Sequence, residues 1–142
     1  MPSITVNSTK EAEEIIQRFI DTFVEEYAKS IQWNAKVNLT INKSIGFGDL
    51  RENIKIEKTS KGYNVVADRH YASAVEYGTF PHWVPLKALE KWAMRKFGRK
   101  DVAYFVQKKI AEKGTKAKPY MEPAVESAYD EAIIKAMAKV GA

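Results

Sequence analysis

Apolar and polar positions along the chain change period several times, and each change marks an element. From Thr9 to Trp33, Ile15, Ile16, Phe19, Ile20, Phe23, Val24, Tyr27 and Ile31 recur at helical spacing, opposite Arg18, Asp21, Glu25 and Lys29. Ser8 is placed to cap this helix, with Glu11 three residues later completing a capping box. At Val37, Leu39 and Ile41 the period shortens to two, against Lys36, Asn38, Thr40 and Asn42, which predicts a half-buried strand. Gly46 and Gly48 interrupt it, and residues 48–53 suit one helical turn. Residues 53–58 and 63–68 predict a β-hairpin around Thr59-Ser60-Lys61-Gly62.

The stretch from Tyr71 to Thr79 suits a strand by alternation and a short helix by alanine content. The preferred reading is a helical turn ending at Gly78. Pro85 and Gly98 bracket a helix with a stripe of Leu86, Leu89, Trp92, Ala93 and Phe97. Asp101 and Gly114 bracket another, with Val102, Phe105, Val106 and Ile110 facing inward. Pro119 and Pro123 flank a loop before a last helix, with Val125, Tyr129, Ile133, Met137 and Val140 on one face. Strands and helices are thus segregated. The expected fold is α+β: a small antiparallel sheet packed by long N- and C-terminal helices, with an inserted basic αα-hairpin. The expected organisation is a single domain over 1–142, made of an N-terminal helix (9–33), a strand-rich core (36–79), a basic helical-hairpin insertion (81–118) and a C-terminal helix (119–142).

Composition narrows the chemistry. A chain of 142 residues buries about 70% of its unfolded surface, enough for a core without staples. There is no cysteine, which excludes disulfides and thiolate metal sites. The opening ten residues are polar and do not suit a secretory signal. The longest apolar runs are too short to cross a bilayer, so no membrane is expected. The net charge is +5, but residues 82–118 hold eleven Lys/Arg against three Asp/Glu, a net of +8. The plain reading of this excess is a solvated helical hairpin. The functional reading is an acidic partner, either nucleic acid or the acidic face of a protein.

Catalytic patterns are sparse. His70 and His82 are the only histidines and do not form a metal-ligand pair, so no metal is expected; His82 more readily orders the loop beside Pro81 and Trp83. No Gly-x-Ser-x-Gly elbow accompanies Ser73 or Ser127. The glycines do not spell a phosphate loop, and Gly46-Phe47-Gly48 is too short to count as one. Glu76, between Val75 and Tyr77, is the best lone candidate for acid–base work. A structural role for it is preferred: capping loop amides, or pairing with Arg69 or Arg51. Lys87, Lys91, Arg95, Arg99, Lys100, Lys108 and Lys109 form a basic patch able to touch phosphates. Trp92, Phe97 and Phe105 sit at core spacing and are expected to be buried, which weakens the case for an aromatic single-strand platform.

Four segments together resemble a known family. Gly48-Asp49-Leu50-Arg51-Glu52-Asn53-Ile54 is similar to the TG-x-LR-x-SI segment of phage tail-completion and head–tail joining proteins, with Phe47 where that family often has threonine. Tyr71-Ala72, followed by Val75-Glu76-Tyr77-Gly78-Thr79, resembles its YA-x-x-VE-x-GT element. Pro81-His82-Trp83-Val84-Pro85, with Leu89 and Trp92, is similar to the PHWPP insertion of one branch. Lys109-Ile110, then Lys113-Gly114-Thr115-Lys116-Ala117 and Pro119-Tyr120-Met121-Glu122-Pro123-Ala124, resembles its KI…KGT-x-A-x-PF-x-x-PA run. The segments keep their order and span about residues 36 to 128.

The resemblance implies a virion component assembled in the host cytoplasm. Such a protein is not an enzyme and needs no cofactor. It forms rings, commonly hexameric, that finish the tail or dock it to the head, so its partners are its own copies and other neck or tail proteins. The residues the resemblance carries over are structural or interfacial: Gly48, Leu50, Arg51, Tyr71, Glu76, Gly78, Thr79, Pro81, His82, Trp83, Gly114, Thr115, Pro119 and Pro123. The uneven charge adds an expectation of its own, that an acidic first-helix face meets the basic hairpin of a neighbour. The alternative function is a basic nucleic-acid-binding accessory domain.

Overall fold

In the computed structural model, which describes residues 3–43 and 47–141, the fold is α+β. Helix α1 (Thr9–Asn42) is followed by α2 (Phe47–Glu52), strands β1 (Ile54–Lys58) and β2 (Tyr63–Ala67), and helices α3 (Ala72–Tyr77), α4 (Leu86–Phe97), α5 (Val102–Lys113) and α6 (Met121–Gly141). The strands pair antiparallel, Ile54 opposite Ala67 and Lys58 opposite Tyr63.

Helix α1 starts as its sequence dictates. Ser8 Oγ accepts the Glu11 amide at 3.1 Å. The Glu11 carboxylate reaches one residue further back than in a standard box and accepts the Asn7 amide at 3.1 Å. The helix then runs 34 residues, a rod of about 50 Å at 1.5 Å per residue. The strand expected at Val37–Ile41 does not form, because α1 continues through it to Asn42. Ala35 and Leu39, one turn apart, are fully buried. Asn34, Asn38 and Asn42 point their amides across to Ser127 Oγ (3.0 Å), the Tyr120 carbonyl (3.0 Å) and the Pro119 carbonyl (3.3 Å). A strand would spread these asparagines over about 26 Å, whereas a helix stacks all three on one face within about 12 Å, which matches the short stretch of chain they bond. Tertiary contact thus overrides the local β preference of Val37, Thr40 and Ile41. Lys43 ends the helix in the left-handed region at φ 47°, its amide donating to the Leu39 carbonyl at 3.0 Å. Gly46, expected to interrupt the strand, lies outside the described residues.

Helix α6 packs on α1 through alanine. Ala124, Ala128, Ala132 and Ala136, each one turn from the next, are fully buried. Of the expected stripe, Val125, Tyr129, Ile133 and Met137 are set one residue later, about 100° round the helix, and Val140 continues the alanine line. The displaced residues flank the seam, leaving Val125, Tyr129 and Met137 exposed. Small residues let the two backbones approach. The Tyr27 hydroxyl donates to the Val125 carbonyl at 3.0 Å, and the Phe23, Tyr27 and Tyr129 rings meet edge to face beside the seam. Glu26, itself buried, is paired with Lys139.

Two cores result. Ala35, Leu39, Leu50, Ile54, Ala72, Tyr120 and Ala124 form one, where α1, α2, β1, α3 and α6 meet. Leu89, Trp92, Ala93, Ala103 and Ile110 form the other, between α4 and α5. Gln107, buried beside this second core, donates its amide to the Val84 carbonyl at 2.8 Å. Phe105, expected inside, lies two residues from both Ala103 and Gln107, hence about 200° round the helix. It is 67% exposed, and Phe97 is 50% exposed. Asp101 sits at the start of α5 without capping it; its carboxylate is held by Arg99 at 2.5 and 3.1 Å. The two cores are tied by the Trp92 indole N–H, which donates to the Lys43 carbonyl at 3.2 Å.

Candidate functional site

Three of the four resembling segments, at 48–54, 71–79 and 113–124, lie far apart in sequence and meet at the first core, whereas Val84, Leu89 and Trp92 of the other belong to the second. Glu76, at the end of α3, is the centre of this junction and is buried. Its Oε2 accepts the amides of Tyr120 (2.8 Å) and Met121 (2.9 Å), and its Oε1 accepts that of Glu122 (2.9 Å). These are opening N–H groups of α6, which no carbonyl within that helix can satisfy. A charged acceptor there also suits the positive end of the helix dipole. Glu76 therefore caps α6 from another element. Arg69 and Arg51, the alternative partners considered from sequence, engage Asp49 and Thr40 instead.

Next to Glu76 the backbone makes a clamp. Thr79 and Thr115 form one antiparallel bridge, with N–H to carbonyl distances of 3.0 and 3.2 Å, and their hydroxyls meet at 2.9 Å. The glycines before them make this approach feasible. Gly78 (φ 76°, ψ 179°) and Gly114 (φ 75°, ψ −164°) occupy a region open essentially to glycine alone. A Cβ on Gly78 would lie 2.7 Å from the Thr115 carbonyl oxygen, and one on Gly114 would collide with the Thr79 carbonyl. Lys118 N–H donates to the Val75 carbonyl at 2.9 Å, so the segment from Gly114 to Tyr120 is pinned along α3. Pro119 and Pro123 shape its path into α6, and Pro123 falls in the first turn of that helix.

A charged cluster lies on the other side of the same core. Asp49 Oδ2 accepts from Arg69 Nε (2.8 Å) and the Tyr71 hydroxyl (2.6 Å), while Oδ1 accepts from Arg69 Nη2 (3.2 Å). The Arg69 hydrogen bonds, then that of Tyr71, hold the Asp49 carboxyl down at about 2. Burial first, and then Asp49, raises the Tyr71 phenol. Arg95 reaches this cluster from α4. Its guanidinium lies against Gly48, where a Cβ would come within 2.9 Å of the guanidinium carbon. Gly48 thus admits a side chain rather than a turn. Leu50, the next apolar residue, is fully buried in the first core.

The remaining motif residues face outward. Pro81, His82 and Trp83 are exposed, and His82 Nδ1 lies 2.9 Å from the Phe80 carbonyl and 3.2 Å from Thr79 Oγ1. This loop projects Tyr77, Phe80 (91% exposed) and Trp83 (70%). A second apolar surface lies on α1, where exposed Trp33, Val37 and Ile41 line a shallow groove of about 320 Å³. Arg51 borders that groove and donates to Thr40 Oγ1 at 3.1 Å. Lys87, Lys91, Arg99, Lys100, Lys108 and Lys109 are all exposed.

Sequence reasoning missed Asp49, Arg69 and the asparagine ladder. A signal for the ladder existed, since Asn34, Asn38 and Asn42 are spaced by four. For Asp49 and Arg69 there was none, because 20 residues separate partners that meet only through the hairpin. No protein-family model, curated protein or solved structure matches the chain.

Proposed function

We propose that this chain is a structural subunit of a tailed-phage or provirus particle, assembled in the host cytoplasm. It completes the tail or joins tail to head through ring-forming protein–protein contacts, and it is not an enzyme. Its partners are its own copies and neighbouring neck or tail proteins. The observation that carries this reading is the meeting of three of the four resembling segments, at 48–54, 71–79 and 113–124, at one junction. Glu76 there is committed to three α6 amides, and the glycines to a backbone clamp. The junction holds the loops in shape, and the large apolar side chains beside it point outward.

Two unlike apolar surfaces on one chain suit a head-to-tail contact, which closes into a ring when the rotation allows. In this reading the Tyr77–Trp83 loop of one copy seats against the Trp33–Ile41 groove of the next. A loop already fixed by the clamp loses little entropy on docking.

The test uses two surface variants, Phe80→Asp on the loop and Ile41→Asp in the groove. Light scattering and negative-stain images of the unmodified chain at rising concentration should show discrete oligomers and rings. Each variant alone should stay monomeric. A mixture of the two should yield dimers only, because one intact loop meets one intact groove. A parent chain that stays at 16.1 kDa throughout, in a gene neighbourhood without portal, capsid or tail-tube genes, would sink the proposal.

A further inference from the structure

We propose that the outward face of α4 and α5 is a binding site for single-stranded nucleic acid, independent of the ring contacts. The argument starts from what the second core leaves outside. Leu89, Trp92, Ala93, Ala103 and Ile110 fill the space between the two helices. Tyr104 and Phe105 take no part in it and stand 61% and 67% exposed, their rings 5.8 Å apart and edge to face. Two adjacent rings are thus left largely in water.

Their neighbours are cations. Lys108 and Lys109 lie one turn after Tyr104 and Phe105, so each ring shares its strip of helix surface with an ammonium group. Arg99 and Lys100 sit in the connection at the start of the same helix, and Lys87 and Lys91 line α4 one turn apart; all are exposed. Acidic groups are few. Among residues 82–118 they are Glu90, Asp101 and Glu112, and Asp101 is paired with Arg99 at 2.5 Å, so that neither of the two counts towards the field. Glu112 is exposed one turn beyond Lys108 and subtracts from the field there. Arg95 is set aside, since its guanidinium lies over Gly48.

The combination selects the partner. An acidic protein face would satisfy the cations but offers no row of flat faces spaced along the same charged strand. A duplex offers phosphates and groove edges but hides its base faces in the stack. A single strand offers both phosphates for the cations and free base faces for the rings, and such stacking tolerates any sequence. The expected binding is therefore strong at low salt, indifferent to base order and weaker for duplex.

Fluorescence anisotropy of the full chain tests this with a labelled oligo-dT strand of about twenty nucleotides, the matching duplex, and heparin. Oligo-dT should bind more tightly than duplex. Replacing both rings, Tyr104→Ala with Phe105→Ala, should weaken oligo-dT binding about tenfold or more, with the circular-dichroism melt unchanged because both side chains are exposed. Lys108→Ala with Lys109→Ala should flatten the slope of log K against log salt by about 1.4, or 0.7 per lost phosphate contact. Three results would overturn the site: no binding at low salt, equal binding to duplex and heparin that ignores loss of the rings, or self-association that Lys108→Glu abolishes and oligo-dT fails to displace. The second would leave an unspecific polyanion surface, and the third an acidic protein partner.

Discussion

At the scale of single residues, the glycines divide by what their backbone demands. Gly98, which ends α4, has φ 71° and ψ 12°, and a Cβ there would meet nothing within 4 Å. This is the ordinary left-handed region, which asparagine tolerates. Gly78 and Gly114 lie in the glycine-only region, and each faces a carbonyl at the point where a Cβ would go. Gly98→Asn should therefore change stability by less than about 1 kcal/mol. Gly78→Asn and Gly114→Asn should each cost about 3 kcal/mol or more, from backbone strain and the displaced carbonyl together. Urea unfolding reads the contrast, and three equal costs would mean that the clamp does not exist. Asp49 gives a prediction in pH. Its folded-state carboxyl sits at about 2 against an ordinary 3.8, so its contribution is complete above about pH 4 and lost as pH falls through 2. The melting temperature of the parent chain should exceed that of Asp49→Asn at neutral pH, and the gap should close between about pH 4 and pH 2. A gap that stays constant through that window would show that the Arg69 and Tyr71 contacts do not act on the charge. Because Asp49 is about half exposed, solvent screening keeps the gap modest.

At the scale of elements, the α1–α6 seam sets the helix spacing, and its alanines leave no room for a larger side chain. Ala132→Leu would force the backbones apart or twist the new side chain off its rotamer, at about 1–3 kcal/mol. Ile134→Ala, on the exposed side of the same helix, should stay within about 0.5 kcal/mol. Urea midpoints for the two variants check this pair. A neutral Ala132→Leu would mean that the helices are not in close contact. The same seam explains what was legible in the sequence. The β1–β2 hairpin, the short helix before Gly78 and the bounds of α4 and α5 all follow from local signals: alternation, turn residues, Pro85, Gly98 and Gly114. The face of α5 follows in part, since Val102, Val106 and Ile110 pack inward and Phe105 does not; the face of α6 does not, because a count of large apolar residues misses a seam built from Ala124, Ala128, Ala132 and Ala136. Alanine reads as neutral in such a count, yet here it is the contact. The strand expected at Val37–Ile41 failed for a related reason. Its alternation is real, but the helix gains three asparagine hydrogen bonds to the α6 end of the chain, and residues more than 75 positions apart leave no local trace. For the candidate site, the Glu76 motif pointed to amide capping. Which amides it caps, and the Asp49–Arg69–Tyr71 cluster, emerged only once the chain was folded.

At the scale of the whole molecule, the two cores differ in how they are held. The first draws on α1, α2, β1, α3 and α6, elements distributed along nearly the full sequence. The second draws mainly on α4 and α5, two helices of 12 residues each, with Val84 beside them. Short helices of this length are marginal without tertiary support. Among the described residues the support reaching them includes the Trp92–Lys43 hydrogen bond, the Arg95 approach to Gly48, the His82 amide on the Ile110 carbonyl at 3.3 Å, and the Thr79–Thr115 bridge. Partial opening of α4 and α5 would expose the second core while leaving the Glu76 capping and the alanine seam intact. Native-state hydrogen exchange should then show two tiers. Amides in the middle of α1 and α6 should exchange only with global unfolding, and those of α4 and α5 through a smaller opening with weaker dependence on denaturant. Trp92→Phe, which keeps the ring and removes the indole donor, should speed exchange in α4 and α5 while leaving the α1–α6 tier less affected. One exchange tier across all helices, shifted as a unit by Trp92→Phe, would mean that the cores unfold as one.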